Sequence, residues 1–487
     1  MKSVVRSVCG ILLVIIISQC AVNPVTGKKE LMLLSKDQEI AMGIQADPEI
    51  VAAYGVYPSQ QLQEFINAEG QKMVQISHRD NISYEFKILD SPIVNAFAVP
   101  GGYVYFTRGI MAHLNSEAEF AGVLGHEIGH IAARHSAKQY SRAMVAQVGL
   151  TLGALASEDF AQFSDIATTG ASLLFLKYGR DAERESDKLG VEYSTKTGYD
   201  AHQMAGFFST LQRMHGSGES LPVFLSTHPD PGEREQTVND LAEKWQRKDN
   251  LQEYKINRNS YLRRIDGLIY GEDPRQGYVS NQTFYHPELK FYFPVPNGWN
   301  LENTPQQVNM ISPDQNAIIV MSLSQEKTLE SAAENLVNRY GIQVSASKRI
   351  NINNFEAVNL IATQSSQNQT LHVNLYLIRY NNLIYELIGA TSPQLISQLG
   401  NITHAVAYGF NKLTDPARIN VKPRRIVIKE VNRNTNLSEA LTQYGIKKDN
   451  FEEHALLNGM NLNQVIDKGT LFKVIDGDKL SELAVRN

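Results

Sequence analysis

The sequence predicts an α+β protein in three parts: a mostly helical domain carrying a small sheet, an antiparallel α+β domain, and a small strand-helix-helix-strand module. Three observations lead there. Helical periodicity interrupted by three short β-like pieces fills the first half of the chain. Alternating strand patterns take over beyond Trp245, and two short helical patterns bracketed by strands close the chain from about Arg424. A chain of 487 residues has room for about three domains. With 43% apolar and 20% charged residues, and 46 basic against 51 acidic side chains, neither a disordered tail protein nor a bulk nucleic-acid binder is expected. No run of 18 or more apolar residues occurs, which argues against a polytopic membrane protein.

Lys2 and Arg6 precede an apolar stretch from Val8 to Ile17, the charge and length of a signal-peptide core and too short to span a bilayer. Ser18-Gln19-Cys20-Ala21 looks like a bacterial lipoprotein processing site, so residues 1–20 read as a signal peptide and Cys20 as the candidate lipidated residue. Gln19 departs from the small residue such sites carry, and plain secretion is the alternative. Ala21 in second place resembles signals that address lipoproteins to the outer membrane. The expectation is an exported, periplasmic protein whose membrane contact is a lipid anchor. Cys9 and Cys20 are the only cysteines, so any transition-metal site in the folded part must be built of histidines and carboxylates.

Asn23 to Leu34 reads as a tether leading into a helix from Ser35, with Glu39 as its capping partner. A second helical pattern covers Gln60 to Ile76. Strand patterns follow at Tyr84 to Leu89, Val94 to Val99 and Tyr103 to Thr107, the last two joined by Pro100-Gly101-Gly102. A helix is then expected from Ser116 to about Tyr140, opened by the capping-box pattern Ser116-Glu117-Ala118-Glu119 and nearly encircled by Phe120, Val123, Leu124, Ile128 and Ile131, hence buried.

Inside that helix lies His126-Glu127-Ile128-Gly129-His130. The i, i+4 spacing stacks both imidazoles on one face, where they can take two corners of a zinc tetrahedron. Glu127, one step round, can take a proton from water activated at the metal without occupying it. A third ligand is needed. His135 is rotated off the ligand face, and Ala133 and Ser136 stand where an extended HExxHxxGxxH form requires glycine and histidine. A glutamate is the better candidate, from the helical segment Arg180-Asp181-Ala182-Glu183-Arg184-Glu185-Ser186-Asp187. Glu183 and Asp187 share a face there, and Glu185 is a rival by spacing alone.

These residues resemble the HtpX-like and CAAX-prenyl-protease-type zinc metallopeptidase family, in its exported, BepA-like bacterial branch. The resemblance covers Asn23 to Trp245 and rests on NPVTGKKELMLLS, NAFAVPGGYVYFTRGIM, EAEFAGVLGHEIGHIAARHS, RDAERESDKLG and STHPDPGER, in order and spacing. It implies a gluzincin-type peptidase over residues 21–250. His126, His130 and Glu183 would hold one zinc ion per chain, Glu127 would be the base, and Asp187 would hydrogen-bond the outer nitrogen of a ligand histidine. It also places His228 and Arg234 across the cleft, His228 either donating to the oxyanion or filling the fourth zinc position at rest. The prolines and glycine of Thr227 to Arg234 suggest a stiff loop. Ser186 departs from the family, which commonly has alanine there.

Asn95, Ala96, Phe97 and Ala98 would line a sheet edge to which an extended substrate adds as a strand. Ala143 to Ala156 and Gly170 to Leu176, apolar and rich in small residues, suit close-packed helices, the alternative being a lid over the cleft. Residues 251–282 read as a linker and 283–412 as the antiparallel domain. Its strands are expected at Phe291 to Val295, Ala317 to Ser324, Phe355 to Thr363, Leu371 to Tyr380 and Leu383 to Gly389, with helices at Leu329 to Tyr340 and Pro393 to Tyr408. Residues 424–476 resemble a LysM-like peptidoglycan-binding module, although Asn434-Thr435-Asn436 replaces its usual Gly-Asp-Thr opening. The function implied is a zinc endopeptidase that cleaves misfolded or stalled envelope proteins, the alternative being a periplasmic chaperone or assembly scaffold with a largely latent protease site.

Overall fold

A computed structural model describes residues 20–150, 177–216, 223–228, 231–249, 251–365, 370–391 and 396–477. The signal-like segment before Cys20 and most of the small-residue stretches between 151 and 176 lie outside the described residues. Two compact units emerge: the chain up to Gly271 together with Arg425–Asp476, and the segment Glu272–Arg424.

The first unit opens with a short antiparallel pair, β1 (Cys20–Val22) and β2 (Lys29–Leu31), within what reads as a tether. Ser35 caps α1 (Lys36–Tyr54), and the reciprocal partner is Gln38, whose side chain accepts from the Ser35 N–H at 2.8 Å. Glu39, expected in that role, is one residue too far along to reach back. It is buried instead, between Arg79 at 2.8 Å and Arg134.

Helix α2 (Gln60–Val74) packs on a three-stranded sheet of β3 (Glu85–Leu89), β4 (Ala96–Val99) and β5 (Tyr103–Thr107). The order is β3-β5-β4, so β4 is an edge strand, antiparallel to β5. Gly101 and Gly102, at φ 86° and 106°, make the turn between them.

After α3 (Arg108–His113), Ser116 caps α4 (Glu117–Ala132) by accepting from the Glu119 N–H, while the Glu119 carboxylate reaches back to the Asn115 N–H at 2.6 Å. The helix expected to continue to about Tyr140 stops here. Arg134 adopts φ 58°, held by Glu39 at 2.6 Å and the Leu34 carbonyl at 2.9 Å, and the chain restarts as α5 (His135–Leu150). A buried ion pair with a residue 95 positions away overrides local helical continuity.

The unit continues with α6 (Arg180–Lys196), α7 (His202–Gly216), α8 (Val223–Thr227), α9 (Pro231–Asp249) and α10 (Arg258–Arg264). Helix α10 lies in the segment read as a linker. Its Tyr261 and Leu262 are fully buried, and the Tyr261 hydroxyl donates to the Met111 carbonyl at 2.7 Å.

The second unit holds two antiparallel sheets. Its elements are β6 (Tyr278–Ser280), β7 (Thr283–His286), β8 (Phe291–Pro294), β9 (Asn300–Asn303), β10 (Gln307–Ile311), β11 (Ala317–Leu323), α11 (Leu329–Tyr340), β12 (Gln343–Ile352), β13 (Phe355–Ser365), β14 (Thr370–Tyr380), β15 (Leu383–Thr391), α12 (Ile396–Gly409) and β16 (Asn411–Lys412). One sheet runs β16-β8-β7-β6, the other β12-β13-β14-β15-β11-β10-β9. Every expected strand is present. Strands β6, β7, β9, β10, β12 and β16 were not expected; β12 is an edge strand exposed along most of its length, and Lys348 interrupts the alternation of Val344, Ala346, Ile350 and Ile352. Asn381 and Asn382, at φ 51° and 59°, form the tight hairpin between β14 and β15.

The last segment has the expected strand-helix-helix-strand order in β17 (Arg425–Glu430), β18 (Thr435–Asn436), α13 (Leu437–Gln443), α14 (Phe451–Asn458), β19 (Val465–Ile466) and β20 (Leu471–Asp476), with β17 antiparallel to β20. It belongs to the first unit. Ile426, Leu457, Leu471 and Ile475 join one core with Phe106, Phe120 and Leu124. The buried Lys473 ammonium donates to the carbonyls of Ala112 at 2.7 Å and Leu114 at 3.0 Å, at the end of α3.

Candidate metal centre

Helices α4 and α6 cross where neither has a side chain. A Cβ on Gly190 would stand 3.1 Å from the Gly122 carbonyl and 3.1 Å from the His126 nitrogen, and one on Gly125 would stand 3.1 Å from the Gly190 Cα. This backbone-to-backbone approach brings Glu183 and Asp187 of α6 against His126 and His130 of α4. His228, just after α8, completes the group, and Arg234 comes from the first turn of α9 rather than from a loop. All six side chains are buried, as is Glu127.

Four of them converge. His126, His130, Glu183 and His228 each direct one ligand atom into a group whose members lie within 4.8 Å of one another. His126 Nε2 is 3.0 Å from His130 Nε2 and 3.3 Å from His228 Nδ1. Glu183 Oε1 is 3.4 Å from His130 Nε2 and 3.0 Å from His228 Nδ1. A tetrahedron with zinc–ligand bonds of about 2.0–2.1 Å has edges of about 3.3 Å. The residues therefore fit a tetrahedral cation, in donor chemistry and in spacing alike.

Surrounding contacts orient these donors. His126 Nδ1 lies 3.0 Å from Asp187 Oδ1. Arg234 clamps Asp187 through Nε at 2.8 Å and Nη2 at 2.7 Å, and also reaches Glu183 at 3.1 Å. Burial alone would raise the Glu183 carboxyl, but His228 and Arg234 outweigh it and hold the group well below the usual carboxylate range. Asp187 is likewise lowered, because Arg234 and His126 outweigh its burial. Burial pushes His130 well below its ordinary value, whereas Glu183 and Glu127 overcome burial at His228 and push it up. Glu127 is raised by burial, partly offset by His228 and His126. Neither Glu127 oxygen has a hydrogen-bond partner among the described residues, and Oε1 stands 3.7 Å from His228 Nε2.

The structure thus gathers His126, Glu127, His130, Glu183, Asp187, His228 and Arg234 in one place. Of the two glutamates left open by spacing, Glu183 enters the cluster and Glu185 turns away to His135, 3.2 Å distant. Asn95, Ala96, Phe97 and Ala98 lie on or beside edge strand β4, all buried, with the Ala98 carbonyl accepting from the Tyr178 hydroxyl at 3.3 Å. Sequence reasoning missed two neighbours of His130. Tyr178 stacks on its ring at a centroid distance of 3.9 Å, and His135 lies 3.0 Å from its outer nitrogen. The five-residue offset of His135 gave no hint, because it becomes adjacent only through the break at Arg134.

Residues 60–242, less than half of the chain, are similar to the sequence model of peptidase family M48. The chain is 31% identical over 174 residues to mitochondrial metalloendopeptidase OMA1 of Arabidopsis thaliana, covering 36% of this chain and 35% of that protein. It is 28% identical over 210 residues to the beta-barrel assembly-enhancing protease of Yersinia pestis, covering 41% and 43%, and 26% identical over 209 residues to that of Escherichia coli, again covering 41% and 43%. The chain therefore spans less than half the length of these relatives. Spacing, burial and likeness meet in the same segment: the stretch that is similar to peptidase family M48, residues 60–242, contains the whole four-donor cluster.

Proposed function

We propose that this domain is a zinc endopeptidase of the bacterial cell envelope, of the exported branch of its family, acting on unfolded or misassembled envelope proteins. The observation that carries the reading is the buried four-donor cluster beside the unpartnered Glu127 carboxylate. His126, His130 and Glu183 would hold zinc, which would supply Lewis acidity toward water and the scissile carbonyl. Glu127 takes the proton of the attacking water on a carboxylate oxygen and passes it to the leaving amine, and its burial suits it to hold a proton in transit. His228 is the fourth donor at rest and, once it yields that place, a hydrogen-bond donor to the oxyanion. Arg234, engaged with Asp187 and Glu183, positions both carboxylates.

Strand β4 is the edge of its sheet, and an extended peptide would add there once Tyr178, whose hydroxyl donates to the Ala98 carbonyl, moves aside. Selection would then depend on substrate being unfolded more than on its sequence. The printed names of the bacterial relatives and the signal-like start support the envelope address, and lipidation of Cys20 would anchor the chain to the outer membrane. Peptidoglycan contact through residues 424–476 is the corresponding proposal for the LysM-like segment.

Purified protein should degrade casein, lose that activity to a chelator and regain it with zinc. Glu127→Gln should retain zinc and lose about 100-fold or more in turnover. A protein that never cleaves but suppresses aggregation would favour the scaffold alternative, for which the presence of His228 as a fourth donor in the cluster is the supporting observation.

A further inference from the structure

We propose that His135 and Glu185 are positioning residues for His130, a relay that fixes the tautomer and ring orientation of this one ligand. The inference rests on the metal-site reading above.

His130 turns Nε2 into the cluster, 3.0 Å from His126 Nε2 and 3.4 Å from Glu183 Oε1. Its other nitrogen, Nδ1, lies 3.0 Å from His135 Nδ1, and His135 Nε2 lies 3.2 Å from Glu185 Oε2. One proton arrangement satisfies this chain of contacts. With the His130 Nε2 lone pair committed to a metal, Nδ1 carries the hydrogen and donates it to His135 Nδ1. A neutral His135 then carries its own hydrogen on Nε2 and donates to the Glu185 carboxylate. Ser186 Oγ stands 3.3 Å from His135 Nδ1, farther than the His130 nitrogen that uses its lone pair.

The two ligand histidines of α4 are therefore oriented by different devices. His126 meets a carboxylate directly, because Asp187 follows Glu183 by one helical turn. His130 sits one turn further along α4 and reaches its carboxylate through an imidazole. That imidazole is available because the chain breaks at Arg134, φ 58°, and swings His135 back alongside. Outer contacts of this kind commonly govern metal affinity by about 10–100-fold.

The test compares His135→Phe, which keeps the ring and removes the acceptor, with His135→Asn, whose amide oxygen can stand near the Nδ1 position. Zinc affinity would be measured by chelator competition, the cobalt-substituted absorption spectrum would report ligand geometry, and the melting temperature of the metal-free chain would report folding. Expected are a loss of about 10-fold or more in zinc affinity and a shifted cobalt spectrum for His135→Phe, with His135→Asn within about 3-fold of the parent. Glu185→Ala, at a partly exposed position that tolerates change, should lose affinity in the same direction by a smaller factor. Parent-like affinity in His135→Phe overturns the relay, and equal losses in the Phe and Asn variants reduce His135 to a packing role. A parent chain that binds no zinc overturns the metal reading itself, a result distinct from either.

Discussion

His228 joins two roles that predict opposite phenotypes. Its Nδ1 lies among the donors of the cluster while its Nε2 faces Glu127, so the same ring can fill the fourth position or serve the reaction. On the resting-ligand reading His228→Ala raises casein cleavage. A loss of about 100-fold would assign the residue to the oxyanion instead, and unchanged activity would sink both roles. At this scale the sequence was informative where chemistry is local. His126, Glu127 and His130 follow from i, i+4 geometry alone. His228 stands 102 positions from His126 and was reached only through family resemblance. His135 escaped notice because the helix was read straight through Arg134.

Among elements, the α4–α6 crossing sets the geometry of the site. Gly190→Ala would place a methyl 3.1 Å from the Gly122 carbonyl and the His126 nitrogen, in a core with no room to give. It should cost about 1–3 kcal/mol of stability, read from denaturant unfolding, and weaken zinc binding because Glu183 and Asp187 ride on the displaced helix. Helix α3 carries a pH dependence of its own. His113 donates from Nδ1 to the Gly109 carbonyl at 2.9 Å, and burial lowers it from 6.5 to about 4, an effect to which the charge of Lys473 adds. The unfolded chain therefore binds a proton more readily than the folded one. Stability from this group is complete above pH 6.5 and declines as pH falls toward 4, by up to about 3 kcal/mol. His113→Gln should flatten that part of the stability–pH curve of the metal-free protein; an unchanged curve would remove His113 from the account.

For the whole molecule, two compact units predict two calorimetric transitions. Zinc should raise only the transition of the unit that contains the cluster, by about 4 kcal/mol at a thousandfold excess over its dissociation constant. The segment Arg425–Asp476 should melt with that unit, because Ile426, Leu457 and Leu471 belong to its core and Lys473 closes the carbonyls at the end of α3. A chain ended at Arg424 should lose that transition or shift it far down. An unshifted transition would show the segment to be an independent module.

What this sequence determined by itself is what depends on near neighbours. The zinc-type motif, the capping of α1 and α4 by Ser35 and Ser116, the Asn381-Asn382 hairpin and five of the eleven described strands of the second unit all follow from spacing, rotamer reach and alternation within a few residues. Tertiary structure decided what depends on burial and on partners far along the chain. Buried Glu39 takes Arg134 and ends a helix that periodicity would have continued. Bare glycines allow α4 and α6 to touch, which separates Glu183 from Glu185. Lys473 finds its acceptors some 360 residues away, in α3 and the residue that follows it, and makes the closing segment part of the first core. No local pattern encodes such contacts, because desolvating a charge is tolerated only where the rest of the fold has already placed its partner.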